Sequence, residues 1–403
     1  MSNDKKTTAS LKAFIISDLH AFDAHAESYD PDKLPSYLDI SQPDAYALNP
    51  LTKLQQFIRT RRIVADILIC CGDMGDKAHP TSIKYVWAQI NELKNNLGAK
   101  HIIATVGNHD VDSRYKYNQF DAKGFIQSLE PPFPDLDENH SNRFWAQHFT
   151  IYNLEQMRIV LLNSSAYHGY NDEFEHGRIS DATLTKLKEK LQTTPPAKVN
   201  VFVCHHHPRK HAECDVPGYS EMKNGQGLLD ILGSGDYGEW IVVHGHIHFP
   251  ALSYAAGGAS APVIFSSGSL AARLYSQYGT KVRNQCYEIE FPIERISQVG
   301  LVGKFLAWDW SHSNGWTPAS SNSGLPYKGG FGCRTKPLQL GALINKLLKQ
   351  GKRLTWEEIC KRIPGVGFLI PSDVNCLVKL IKNQHSINTF IDETGVPQEL
   401  EKP

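Results

Sequence analysis

Short apolar runs separated by polar turns recur along the first three hundred residues. Leu11–Ser17, Ala65–Cys70 and Ile102–Val106 are each too short for a buried helix and are bounded by turn residues, which predicts strands. Between them the apolar spacing changes to that of a helix. Leu51, Leu54, Phe57 and Ile58 share one face of a segment running to Ile63, and Ile83, Val86, Trp87, Ile90 and Leu93 share one face of Thr81–Asn95. Further on, Phe149–Asn153 and Gln156–Leu162 read as a hairpin across Leu154-Glu155. Asp181–Leu191 reads as a helix capped by Ser180, and Val199–Cys204 as a strand. Gly227–Leu232 is helical, and Trp240–Val243, Val263–Ser267 and Cys286–Phe291 are further strands. Strands alternating with helices predict an α/β architecture with strand tips gathered on one edge.

Three stretches lack such periodicity. Residues 21–50 are polar and rich in Pro and Tyr, and are expected as a loop insertion beside the first strand tip. Residues 111–148 read as irregular to helical, broken at Pro131-Pro132-Phe133-Pro134. Beyond residue 300, Ser, Gly, Asn and aromatics dominate, so 301–333 is expected as an irregular linker after a domain at 11–300. Residues 334–403 then form a small, mostly helical extension. In it, Leu338–Lys349 is a helix, Thr355-Trp356-Glu357-Glu358 a capping box opening a second, and Pro371-Ser372-Asp373 the start of a third; residues 385–394 form a strand or hairpin.

Composition narrows the class. Lys+Arg and Asp+Glu balance at 42 each, so no global field announces a polyanionic partner. There is no apolar run long enough to span a bilayer and no apolar segment near Met1, so no membrane partner is expected and a cytoplasmic location is. The eight cysteines are scattered without Cys-x-x-Cys spacing and read as reduced thiols.

The histidines are informative because they cluster at strand ends. In order these read Asp18-Leu19-His20, then Gly72-Asp73-Met74-Gly75-Asp76, Gly107-Asn108-His109-Asp110, His205-His206-His207-Pro208, and His244-Gly245-His246-Ile247-His248. Carboxylate, imidazole and amide oxygen together suit borderline divalent cations such as Mn²⁺, Fe²⁺ or Zn²⁺. Two such ions roughly 3.5–4 Å apart can activate water and clamp an in-line phosphoryl displacement. One carboxylate must then bridge them, and Asp73 is the best placed.

These five elements, in this order, resemble the calcineurin-like metallophosphoesterase superfamily over residues 11–290. Gly177-Arg178-Ile179-Ser180 and the His-His-Pro form further resemble its branch of cyclic-nucleotide and related phosphodiesterases. The resemblance implies a four-layer α/β/β/α sandwich and two divalent metal ions. Asp18, His20 and His248 would bind the first metal and Asp73 would bridge. Asn108, His246 and His206, with His205 as fallback, would bind the second. His109 would act as general acid, with Asp110 holding its ring, and a metal-bridging hydroxide would attack phosphorus. His207 and His244 adjoin ligands and would orient them or, for His207, meet substrate; Asp76 would be structural or would orient a neighbouring site residue rather than bind metal. Arg114, Tyr115 and Tyr117 either contact a phosphate or base or are ordinary surface residues.

The leading expectation is therefore a two-metal phosphodiesterase acting on a nucleotide or similar small diester. A nuclease is the first alternative. Residues 334–382 carry ten Lys/Arg against three Asp/Glu, and the segment resembles a winged helix-turn-helix that would recruit nucleic acid. A scaffold without catalysis is the second, and the filled ligand positions argue against it.

Overall fold

The computed structural model describes residues 10–403 except 27–28, 43–48, 117–120, 171–172, 212–220, 275–278 and 321–322. The sequence element Tyr117 and the cysteine Cys214 lie outside the described residues.

The first half alternates strand and helix: β1 (Ser10–Ile16), α1 (Pro50–Arg61), β2 (Ile67–Cys70), α2 (Pro80–Leu97) and β3 (His101–Ala104). Two short helices, α3 (Ala122–Gln127) and α4 (Glu138–Ala146), lead to the hairpin β4 (Phe149–Asn153) and β5 (Met157–Leu162). Then follow α5 (Asp181–Thr193), β6 (Val199–Val203), α6 (Gly225–Gly233), β7 (Trp240–His244), β8 (Ala251–Tyr254), β9 (Val263–Ser266), β10 (Gln285–Pro292) and α7 (Ile293–Val299).

Two sheets result. One runs β10-β1-β2-β3 through its centre, with β1, β2 and β3 parallel and β10 antiparallel to β1. The other has the order β4-β5-β6-β7-β9-β8, with β5, β6, β7 and β9 parallel. The strand alternation sorts side chains into two buried clusters. Ile159, Leu161, Val201, Val203, Ile241 and Val243 face the first sheet and share its core with Phe14, Ile16 and Ile69, whereas Val160, Leu162, Phe202 and Val242 face α5 and α6 through Leu187, Leu191, Leu228 and Leu232. On the far side of the first sheet, α1 and α2 bury Leu54, Ile58, Ile83, Val86 and Ile90. The layers are thus helices, sheet, sheet, helices, which is the expected four-layer sandwich. Strands buried on both faces read as unbroken apolar runs, as ILIC of β2 does.

The irregular linker expected over 301–333 is not found. β11 (Gly303–Ser311) pairs antiparallel with β10, and β12 (Gly315–Pro318) and β13 (Lys328–Phe331) both pair with β11, extending the first sheet to seven strands. The aromatics here are packing residues. Trp308 meets Phe57 of α1 edge-on at 4.9 Å, and the Trp316 indole donates to the Pro50 carbonyl at 2.9 Å. Glycine hid β13, where a Cβ on Gly329 would collide with the Phe305 ring.

The C-terminal part is the expected small, mostly helical extension, with three short strands beside its helices. It runs α8 (Pro337–Leu347), β14 (Lys352–Thr355), α9 (Trp356–Arg362), α10 (Pro371–His385), β15 (Asn388–Ile391) and β16 (Pro397–Lys402), with the sheet order β14-β16-β15. Helix, strand, two helices and a hairpin make up a winged helix-turn-helix. The Thr355–Glu358 capping box is present. Leu340, Ile344, Leu377 and Ile381 join the core that contains Phe305 and Phe331, and the Cys333 amide donates to the Phe368 carbonyl at 3.0 Å, so this unit is docked on the first sheet. No helix of the described residues is long and apolar enough to cross a membrane.

Candidate metal centre

β1, β2, β3, β6 and β7 all end on one edge, and each is followed by one of the five polar tips. The carboxyl ends of parallel strands are where α/β sheets bind ligands. The turns there are sharp: Asp18, His20, Asp73, His246 and His248 all have φ between 49° and 74°. Left-handed backbone at a non-glycine residue is costly and gathers at functional sites. Two glycines make room for the carboxylates. A Cβ on Gly107 would strike the Asp73 carboxylate, and one on Gly245 would strike Ser17 and the Asp18 carboxylate.

Asp73 stands between two groups of donors. On one side His20 Nε2 lies 3.5 Å from Asp73 Oδ2 and 3.0 Å from His248 Nε2, and His248 Nε2 lies 3.3 Å from Asp18 Oδ1. On the other, His205 Nε2 lies 3.3 Å from Asp73 Oδ2, 3.1 Å from Asn108 Oδ1 and 3.2 Å from His246 Nδ1, and that His246 nitrogen is 2.9 Å from Asn108 Oδ1. All these residues are buried. His205 Nδ1 donates to the Cys71 carbonyl at 2.7 Å, so in the neutral ring Nε2 presents a lone pair to atoms that are themselves acceptors. Such convergence of lone pairs lacks protons and suits a cation. The donor chemistry of both groups therefore fits a dinuclear centre.

Electrostatics of the protein groups alone point the same way. Burial pushes the Asp73 carboxyl up, but His205 and His109 beside it win and hold it well below the ordinary range. Asp18 is likewise raised by burial and lowered further by His248, ending below its usual value. Burial, with His109 adjacent, brings His20 down to about 4, and burial keeps His246 well below its normal range, so both rings are neutral, the form that can bind a cation. Burial lowers His205, but Asp73 more than reverses this and raises it to about 9; a proton there occupies the place a cation would take.

At two points the geometry brings a neighbour, rather than the expected residue, to the expected contact. His206, expected as a ligand, turns Nδ1 toward Ser164 Oγ at 2.9 Å, and its imidazole is flanked by the His168 ring, stacked at 5.1 Å. The fallback, His205, is the residue at hydrogen-bonding range of both Asn108 and His246, although a ring nitrogen of His206 does come within 4.8 Å of those of His205 and His246. The one-residue offset arises because β6 ends at Val203, and the chain turns so that His205 points across to Cys71.

Asp110, expected to hold the His109 ring, instead accepts from the amides of Gly107 at 2.8 Å and Gly75 at 3.0 Å, bracing two tips against each other. Burial and the nearby charge of Asp73 raise its carboxyl to about 7. The partner of His109 is Asp76, whose Oδ1 lies 2.9 Å from Nδ1. Burial lowers the His109 imidazole, but Asp73 and the bond to Asp76 overcome this and raise it to about 9. The spacing Gly-Asp-x-x-Asp was the signal for Asp76, since it returns a second carboxylate to the same turn.

The two residues expected to meet substrate, His207 and Arg114, stand in different surroundings. His207 is buried, its ring lying 5.8 Å from that of His246 with planes 21° apart, so it backs a ligand. Arg114 is exposed with its guanidinium 4.7 Å over Phe174. Burial pushes the Cys70 thiol up to about 12 and raises Cys71 and Cys204 as well, so these remain protonated packing groups.

Buried carboxylates and imidazoles converging from the tips of two stacked sheets define a dinuclear metallohydrolase. The chain belongs to the calcineurin-like phosphoesterase family, whose model matches residues 11–250. Residues 329–383 match a second family model, wHTH-Calcineurin_assc. No curated protein sequence matches the chain. Among solved structures it is similar to PhoD (TM-score 0.48, 10% identity, 80% of this chain and 69% of PhoD covered). It is also similar to purple acid phosphatase PPD1 from yellow lupin (Lupinus luteus) seeds (0.44, 11%, 76% and 52%). A third is GAP50, the anchor in the inner membrane complex of Plasmodium (0.40, 12%, 76% and 86%). The chain is accordingly a phosphoesterase of a family that uses a dinuclear metal centre.

Proposed function

We propose that the chain is a two-metal phosphodiesterase acting on a nucleotide or similar small phosphodiester, built as a catalytic domain over 11–300 and a winged-helix unit over 334–403. The observation that carries this reading is Asp73 between two donor groups with His109 beside it. Asp18, His20, His248 and Asp73 would hold one ion, and Asp73, Asn108, His205 and His246 the other, with Mn²⁺, Fe²⁺ or Zn²⁺ matching the donor set. When bound, the ions lower the pKa of water and withdraw charge from the phosphoryl oxygens. His109, half-exposed and braced through Nδ1 by Asp76, donates from Nε2 to the departing oxygen. Asp110 keeps the Gly107 and Gly75 turns in register, so that Asn108 and Asp73 face one point.

A diester is favoured over a monoester by charge. Arg178 and Lys223, on the flank behind His206, are both tied to Glu173, at 3.2 and 3.1 Å. A diester carries one negative charge, which two ions and His109 balance without these cations; a dianionic monoester calls for more. With Mn²⁺, the protein should hydrolyse bis(p-nitrophenyl) phosphate with a higher kcat/KM than p-nitrophenyl phosphate, and EDTA should stop it. A monoester preference of about tenfold, 1.4 kcal/mol, would overturn the diester reading.

The winged-helix unit supports a second reading, a nuclease recruited to nucleic acid. Lys379 and Lys382 are exposed on α10, the helix that would enter a groove, together with Asn375 and Asn383.

A further inference from the structure

The 21–50 insertion is stitched to the site on both sides. Ala21 bridges to Gly75 and accepts from the Asp76 amide at 2.9 Å; Phe22 exchanges backbone bonds with Leu38 and Ile40, at 3.1 and 2.8 Å. On the other side the Tyr37 amide donates to Ala271 and the Arg273 amide to Pro35, at 2.8 and 2.9 Å. This loop brings Tyr29 to the second oxygen of Asp76: the hydroxyl lies 3.2 Å from Oδ2, while Oδ1 meets His109. The Tyr29 ring is itself fixed, edge-on to buried Phe22 at 4.9 Å and under the Lys77 ammonium at 4.1 Å.

We propose that Tyr29 is a positioning residue for the general acid, acting through Asp76. This rests on the reading of His109 as the acid. A carboxylate held by one oxygen can rotate about its Cβ–Cγ bond. Held by both, its plane is set, and with it the direction of the His109 Nδ1 bond and of Nε2 on the far side of the ring. Lys77 sharpens the need, because its ammonium stands beside the same carboxylate and competes for Oδ2 once the hydroxyl is gone. In the step concerned, a hydroxide whose proton has already gone to solvent bonds through oxygen to phosphorus, the P–O bond to the leaving group breaks, and the His109 Nε2 proton passes to the departing oxygen, after which His109 takes a proton back from solvent. The insertion thus contributes to protonation of the leaving group rather than to metal binding.

The test is Tyr29→Phe, which keeps the ring and removes only the hydroxyl. The metal-loaded full chain would be assayed on methyl aryl phosphodiesters whose leaving groups run from p-nitrophenolate to phenolate. Wild-type turnover across the series tests the underlying reading by itself. The ratio of variant to wild type tests Tyr29. Metal content and kcat with p-nitrophenolate, which departs with little help, should stay within about twofold; kcat with phenolate should fall about tenfold at unchanged KM, the size of one hydrogen bond acting in the transition state. The downfield Nδ1 proton resonance of His109, identified by its loss in His109→Gln, should move in Tyr29→Phe. A uniform fall on every leaving group, or no change in both the ratio and the resonance, would overturn the proposal.

Discussion

Replacing His205 and His206 separately by alanine decides which neighbouring imidazole holds the second ion. His205 Nε2 is within 3.3 Å of Asp73, Asn108 and His246 atoms together, whereas His206 Nδ1 meets Ser164 Oγ at 2.9 Å. Loss of His205 therefore removes a donor and also the group that, in the protein alone, most strongly offsets the burial of Asp73. Loss of an orienting neighbour such as His206 should weaken metal binding by about 10–100-fold, or about 1.4–2.8 kcal/mol. Loss of the ligand itself should exceed that. At metal concentrations about tenfold above the wild-type Kd of the weaker site, His205→Ala should retain one ion per chain. His206→Ala should recover both ions once the concentration is raised a further hundredfold. Elemental analysis after gel filtration, and calorimetric titration of apo-protein, read this directly. If His206→Ala is the variant locked at one ion while His205→Ala refills, the assignment of His205 is wrong.

Other expectations follow the same contacts. Asp76→Asn keeps an acceptor for His109 Nδ1 but removes its charge; kcat with a phenolate leaving group should drop about 10–100-fold, the worth of a charged hydrogen bond at about 1.5–3 kcal/mol, with both metals kept, and metal loss would make Asp76 a ligand. Gly107→Ala drives a methyl into the Asp73 carboxylate, and elemental analysis should show the protein folded but depleted of metal. Arg158 is buried and donates to the Thr194 and Tyr237 carbonyls and to Asn200. Arg158→Ala should lower stability by about 3–5 kcal/mol in denaturant titrations and leave metal affinity intact. For the nuclease reading, Lys379→Glu with Lys382→Glu should weaken binding of the full chain to duplex DNA and flatten its salt dependence by about two units of slope; unchanged binding removes α10 as the contact.

The site was more legible in the sequence than its internal roles. Each tip follows an apolar run, and the fold needs only that β1, β2, β3, β6 and β7 lie parallel and end together for the five polar turns to meet. Parallel strands impose that, because crossover helices return the chain to the same starting edge. Sequence spacing reaches its limit at the first residue beyond a strand. Inside β6, alternation fixes the side of every residue, with Val201 and Val203 facing one cluster and Phe202 and Cys204 the other. Past Val203 the pleat ends, and His205, His206 and His207 are chemically alike, so only the tertiary contacts to Cys71 and Ser164 separate them. The linker failed for a related reason. β12 and β13 are four-residue strands containing glycine, and β11, with which both pair, is itself placed by β10, an edge the local sequence does not display.

The same logic explains why Asp110 and Asp76 changed places. In Gly107-Asn108-His109-Asp110 the carboxylate next to the imidazole in sequence cannot reach it, because the turn that points His109 outward folds Asp110 back onto its own Gly107 amide. Neighbours on a tight turn diverge. A side chain is most easily braced from a separate turn, and Asp76 arrives from the β2 tip, whose Asp73 also accepts the His109 amide at 2.8 Å. One five-residue turn, Gly72–Asp76, therefore sets both the carboxylate proposed to bridge the ions and the orientation of the proposed acid. Any substitution that shifts this turn should lower metal affinity and leaving-group protonation together, whereas changes confined to Asp76 or Tyr29 should affect protonation alone. Correlated losses in a set of variants at Gly72, Met74 and Gly75, measured by metal content and by the phenolate to p-nitrophenolate rate ratio, would bear this out; independent losses would show that the two functions are held separately.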